Sequence, residues 1–395
     1  MTIHPAMSNP FATAIQPKRL LDMAMRLINV PSPTRSAAAA ADCLEDILSS
    51  EGFDVSRPVA GWPESPAVVT TFDSGKDGRK LQFNGHLDTV HLPFVPARVE
   101  NGKLYGSGAS DMKGGLAAAI EAVMMLRDTD LLPGGSILLT AHDLHESPWG
   151  DGSQVRGLIE EGWSGDGVLL PEYLATPLPV AGRGQSIIDL TISREGEPVH
   201  EVLGGIDQPQ VIAAGAELVC QFRELDQQLS KHTHPLAGRE SCFIGEIHAG
   251  EIYNQAPTTC RLAGTRRWIP GTDVNDVQKQ YEEILSKIEQ SFGVQIKGDF
   301  RASGHAYEID ISNPLVTAVQ AASRVVSGSE LPIGAKPFAD DGNKFVNLAG
   351  IPAITHGPAA LGAHTTSEEV PLAELERVAM VYAATAIEFC GKRRS

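Results

Sequence analysis

The sequence predicts an α/β fold in which a larger domain, built on a mostly parallel sheet, is split by a smaller inserted α+β domain. Three observations carry this expectation. Short buried strands alternate with helices before about residue 180 and again after about residue 300. Between those stretches the strands alternate apolar and polar residues, as one-sided strands do. The length, 395 residues, allows two or three domains at roughly 150 residues each.

In chain order, residues 18–30 (KRLLDMAMRLINV) carry apolar side chains at helical spacing and stop at Pro31-Ser32-Pro33, a helix-ending signal. Residues 36–52 (SAAAAADCLEDILSSEG) predict a second helix closed by Gly52. KLQFNG (80–85), GSILLTA (135–141) and GVLLP (167–171) read as buried strands, with a helix rich in small residues at 113–127. In the middle, SIIDLTISR (186–194), FIGEIHAGEI (243–252) and TCRLAGTRRW (259–268) alternate as half-exposed strands around helices at 208–224 and 272–291. That βαββα order marks an inserted domain over 182–295 and leaves 1–181 and 296–395 as one discontinuous domain. A helix at 313–327, a strand at 351–355 and a closing helix at 371–391 complete the α/β texture. In such sheets chemistry gathers at the carboxyl ends of the strands.

Composition removes several functions. With 32 Lys+Arg against 49 Asp+Glu the formal charge is −17, without the basic face that phosphate binding needs, so neither nucleic acid nor an anionic membrane is an expected partner. Cys43, Cys220, Cys242, Cys260 and Cys390 are odd in number and include no C-x-x-C pair, so no disulfide framework or thiolate zinc site is indicated. The opening MTIHPAMSNPFATAIQPKRL lacks the apolar run of a secretory signal, and no stretch reaches the ~18 apolar residues of a membrane span. The expected compartment is the cytoplasm. A G-x-S-x-G nucleophile elbow is absent, which argues against a serine hydrolase of the α/β type.

The residues that carry chemistry follow the strands. His86 and Asp88, just past KLQFNG, share one face of extended chain. A metal-bound imidazole usually gives its other N–H to a carboxylate, a part Asp88 could take. Asp111 lies in GSGASDMKGG, placed either to cap the helix from Lys113 or to bridge two cations. Asp143-Leu144-His145-Glu146 follows GSILLTA, Glu172 follows GVLLP, and His364 sits in the Gly-rich GPAALGAHTTSEE. A His/Asp/Glu set without cysteine suits Zn²⁺, Mn²⁺ or Co²⁺ in a hydrolytic site.

GHLDTV (85–90), GSGASDMKGG (106–115), LLPE (169–172), GEPVHEV (196–202) and GAHTTSEEV (362–370) together resemble the dinuclear metallohydrolases. That family includes acetylornithine deacetylase, succinyl-diaminopimelate desuccinylase, aminoacylase and glutamate carboxypeptidase. The resemblance runs from about residue 20 to the end. It implies a zinc-peptidase type catalytic domain, phosphorylase/hydrolase-like, with a ferredoxin-like lid that also dimerises. It also implies two divalent metal ions, Zn²⁺ foremost, and hydrolysis of an amide in a small carboxylate-bearing substrate such as an N-acyl amino acid or dipeptide. Carried over, His86 binds one metal, with Glu172 completing that site, His364 binds the other, and Asp111 bridges them. Asp88 supports His86, His200 is the lid histidine that stabilises an oxyanion in the partner subunit's site, and Arg267 holds the substrate carboxylate near Asn254. Arg266 competes with Arg267 for that part.

The sequence departs from the family at one position. Two adjacent glutamates normally follow the strand at 135–141, the first a general base and the second a ligand; here they are His145 and Glu146. His145 as base with Glu146 as ligand, the reverse, or help from Asp143 or Asp151 all remain open. A reading of another class is a metal-binding protein that holds a ligand without turning it over. Carbamoyl or aryl C–N bonds are alternative targets.

Overall fold

Six strands form the main sheet in the spatial order Val55–Ser56, Val68–Asp73, Ser136–His142, Lys80–His86, Gly167–Leu170, Ala353–Thr355. The last four run parallel, and the first two add antiparallel at one edge. Every residue of Ser136–His142 and Gly167–Leu170 is buried, which is why these strands read as continuous apolar runs. The computed structural model describes residues 11–298 and 300–391. Residues 1–10, on which the reading of the N-terminus partly rests, lie outside them.

Helix Lys113–Thr129 is buried on all sides from Lys113 to Leu126, so it is a core element rather than an amphipathic cover. It and Leu372–Cys390 both pack on strand Lys80–His86. Two glycines close the chain around Glu172. A side chain at Gly115 would collide with the Pro171 carbonyl, and one at Gly357 with the carbonyl of Glu172.

The chain divides into two compact units, one of Met1–Val180, Ile309–Lys336 and Asp340–Ser395, the other of Ala181–Glu308 and Pro337–Ala339. The second runs beyond residue 295. Strands Gln295–Lys297 and Arg301–Gly304 pair with Gly184–Ser193, which keeps the chain in this unit to Glu308. Its sheet is antiparallel throughout, ordered Ser241–Ala249, Thr259–Trp268, Gly184–Ser193, Gln295–Lys297. With the two helices this is a βαββαβ unit whose first and third strands lie at the centre, the ferredoxin-like order.

Ile188, Leu190 and Ile192 alternate onto the inner face of that sheet and join Val211, Ala214, Leu218 and Phe222 of the first helix and Tyr281 and Ile288 of the second. Each large apolar side chain so buried contributes about 1.5–3 kcal/mol. The first helix spans Val211–Leu229, five residues past the expected end, because its buried stripe continues to Leu229. No helix among the described residues is long and apolar enough to cross a membrane. All five cysteines are free.

Candidate metal centre

The parallel strands end together and deliver the site. His86 closes Lys80–His86 and lies in register with His142, the last residue of Ser136–His142. Glu172 follows two residues after Gly167–Leu170. Asp111 precedes helix Lys113–Thr129, whose N-cap is Met112, so its carboxylate is not spent on capping. His86, Asp111, Glu146 and Glu172 are all buried. His364 is held at φ 60°, in the left-handed region, and its half-exposed ring reaches the same cluster.

Asp111 is the shared residue. Its Oδ1 lies 3.1 Å from His86 Nε2 and its Oδ2 lies 3.3 Å from His364 Nε2. Glu146 Oε2 is 3.1 Å from His364 Nε2, and Glu172 Oε1 is 3.8 Å from His86 Nε2. Burial and the charge of Asp111 raise the Glu172 carboxyl well above the usual range. Hydrogen bonds that the His364 imidazole donates to Asp111 and Glu146 push it up to about 10. Burial opposes a charge on His86, yet Asp111, Glu172 and Asp88 hold it well above the usual imidazole value. Donor atoms of His86, Asp111 and Glu146 form one group close enough to hold an ion, and those of His86, His145 and Glu172 another. With Asp111 facing both His86 and His364, this nitrogen/oxygen set suits divalent cations.

Asp88 differs from its expected part. The His86 Nδ1–H finds the backbone carbonyl of Asp88 at 2.9 Å, while the Asp88 carboxylate stays 3.6 Å away. That carboxylate instead accepts the amides of His145 and Glu146, at 3.1 and 2.9 Å, from the chain following the neighbouring strand. It fixes the segment that replaces the paired glutamates.

His145 stacks on His86 with ring centroids 4.0 Å apart and planes 3° from parallel. Its Nε2 is 3.9 Å from Glu172 Oε1. His86, His145 and Glu172 bring three donor atoms within reach of one ion, but an imidazole lone pair lies in the ring plane, so two rings stacked in parallel planes aim poorly at a shared ion. Asp143 does not face the cluster: its carboxylate accepts the amides of Arg35, Ala37 and Leu144. Asp151 accepts the amide of Ser153.

Two contributors went unread in the sequence. Glu368, buried, accepts Gly108 N–H at 3.0 Å, Ser110 N–H and Asp111 N–H at 3.1 Å, and the Ser110 hydroxyl at 2.9 Å. Asp341 Oδ2 lies 3.0 Å from both His145 Nδ1 and His142 Nε2. The acidic pairs in SEE and ADDG, next to loops that carry ligands, were the available signal.

In the second unit Asn254 Nδ2 lies 2.9 Å from His200 Nε2. Arg266 is buried in an ion pair with Glu240 at 2.5 Å, whereas Nη1 of Arg267 is buried with no hydrogen-bond partner.

A family model described as peptidase family M20/M25/M40 matches residues 82–388. The chain belongs to this family. Succinyl-diaminopimelate desuccinylase from Alkalilimnicola ehrlichii is 28% identical over 380 residues, covering 92% of this chain and 96% of that enzyme. N-formyl-4-amino-5-aminomethyl-2-methylpyrimidine deformylase from Bacillus subtilis is 24% identical, covering 95% and 96%. A tripeptidase structure from Staphylococcus aureus superposes with a TM-score of 0.79 at 21% identity, covering 95% of this chain and 98% of that one. This M20 chain is a metallohydrolase of C–N amide bonds, in a family that works with two metal ions.

Proposed function

We propose that this M20 enzyme hydrolyses the amide of a small carboxylate-bearing substrate, an N-acyl amino acid or a dipeptide. The position of Asp111 between His86 and His364 carries the reading. His86, Asp111 and Glu172 would hold one divalent cation and Asp111, Glu146 and His364 the second, with Zn²⁺ ahead of Mn²⁺ or Co²⁺. Bound there, the pair would lower the pKa of water toward ~7 and polarise the scissile carbonyl.

The stacked geometry favours His145 as the proton acceptor and Glu146 as a ligand. His145 Nε2 takes the proton of the attacking water and returns it to the departing amine. His200 is the donor to the developing oxyanion, in the partner's site. The unpaired Nη1 of Arg267 supports it, over the ion-paired Arg266, as the carboxylate anchor. Phe243 on the edge strand Ser241–Ala249, 65% exposed, and fully exposed Tyr253 support a homodimer through the second unit.

Zinc-loaded protein assayed against N-acyl amino acids, dipeptides and aryl amides tests the reading. Turnover of a carboxylate-bearing amide, lost in Glu146→Ala, is expected. Tight binding without turnover favours the non-catalytic alternative, and turnover of aryl amides alone redirects the substrate class.

A further inference from the structure

We propose that Asp341 is the positioning residue for His145, fixing it as the Nδ1–H tautomer so that Nε2 offers its lone pair to the metal centre. This rests on the hydrolase reading above and on four observations.

First, the contact has only one polarity. His145 Nδ1 is 3.0 Å from Asp341 Oδ2, and an ionised carboxylate only accepts, so Nδ1 carries the proton. The Lys344 ammonium, 3.3 Å from Oδ1, favours the ionised carboxylate of Asp341. Second, the same oxygen is 3.0 Å from His142 Nε2, and Lys344 Nζ is 3.3 Å from Oδ1. These contacts leave Asp341 little freedom to rotate away.

Third, the backbone beneath Asp341 is anchored independently. Its neighbour Asp340 is tied to Lys336, to Thr355 Oγ1 at 2.5 Å and to the amide of Gly342 at 2.8 Å. Fourth, the Asp341 side chain has no capping duty. Its carbonyl, not its carboxylate, starts the helix Gly342–Ala349 by accepting Lys344 N–H and Phe345 N–H. The carboxylate is therefore committed to the two histidines and Lys344. An imidazole presented this way accepts a proton at Nε2 while the carboxylate stabilises the cation formed. It is a different solution from a glutamate base, with the histidine set by an acid 196 residues along the chain.

The test combines long-range ¹H–¹⁵N histidine spectra of zinc-loaded protein with kinetics of Asp341→Asn. The His145 signals are identified by their loss in His145→Gln. The wild type is expected to show His145 as the Nδ1–H tautomer. In Asp341→Asn that signature should shift or split. With bound zinc at two per chain, kcat should fall about 10²–10⁴-fold and KM stay within about twofold. A wild-type spectrum with the proton on Nε2, or with a zinc-shifted Nε2, overturns the proposal. So does Asp341→Asn with an unaltered His145 spectrum or unaltered kcat. If no compound in the panel is turned over, the hydrolase reading fails, while the wild-type spectrum still decides the role of Asp341.

Discussion

The carboxylate of Glu368 accepts the backbone N–H of Asp111 at 3.1 Å and, with the amides of Gly108 and Ser110, holds the Gly-rich turn that aims the shared carboxylate. Ligand orientation by such outer contacts typically accounts for 10–100-fold in metal affinity. Glu368→Ala should therefore weaken zinc binding by about that factor, read by competition with a chromophoric chelator. Wild-type affinity in the variant would show that the turn holds itself.

Zinc uptake should release protons. Without metal, His364 titrates at about 10, and His86 and Glu172 are raised well above their usual values. At pH 7 the two histidines hold protons that a cation must displace, so a weakly buffered titration should release about two per chain. Saturating zinc should also raise the melting temperature, by mass action on the folded state worth about 2.7 kcal/mol at 100 times Kd. Uptake with no proton release contradicts the shared-proton cluster.

His356 predicts an acid-sensitive fold. Burial pushes its imidazole down to about 3, and neither ring nitrogen has a hydrogen-bond partner. An unfolded histidine titrates near ~6.5, so below that pH the unfolded chain binds the proton and the folded chain does not. The stability is complete above ~6.5 and drains as pH falls toward 3, by about 2 kcal/mol between pH 7 and 5. His356→Leu should remove that increment from the pH dependence of denaturant melts. Parallel wild-type and variant curves would place the acid sensitivity elsewhere.

The edge strand Ser241–Ala249 predicts the oligomeric state. Phe243→Asp combined with Tyr253→Asp should convert a dimer to a monomer in analytical ultracentrifugation, because a charge on each copy opposes burial of the apolar face. A dimer that persists in the double variant would place the interface on another surface.

Local pattern made much of this protein legible. Apolar runs in KLQFNG, GSILLTA and GVLLP marked the parallel strands because strands covered on both faces have no solvent side to signal. His86, Asp111, Glu172 and His364 could be named because each sits at a strand end or in a Gly-rich loop, where backbone geometry is set by near neighbours. The antiparallel strand Val68–Asp73, second from the sheet edge, and the helix Gly342–Ala349 carried no comparable pattern, since neighbouring elements rather than local spacing stabilise them.

Pairings across the fold were decided only in three dimensions. Whether Asp88 serves His86 with its carboxylate or its carbonyl depends on where the chain after Ser136–His142 offers its amides. The setting of His145 depends on Asp341, 196 residues away. The sequence determined which residues reach the ends of the strands, because side-chain period and turn chemistry are local. Tertiary structure alone decided which donor meets which acceptor, because a hydrogen bond requires approach to about 3 Å, which only packing of distant segments supplies.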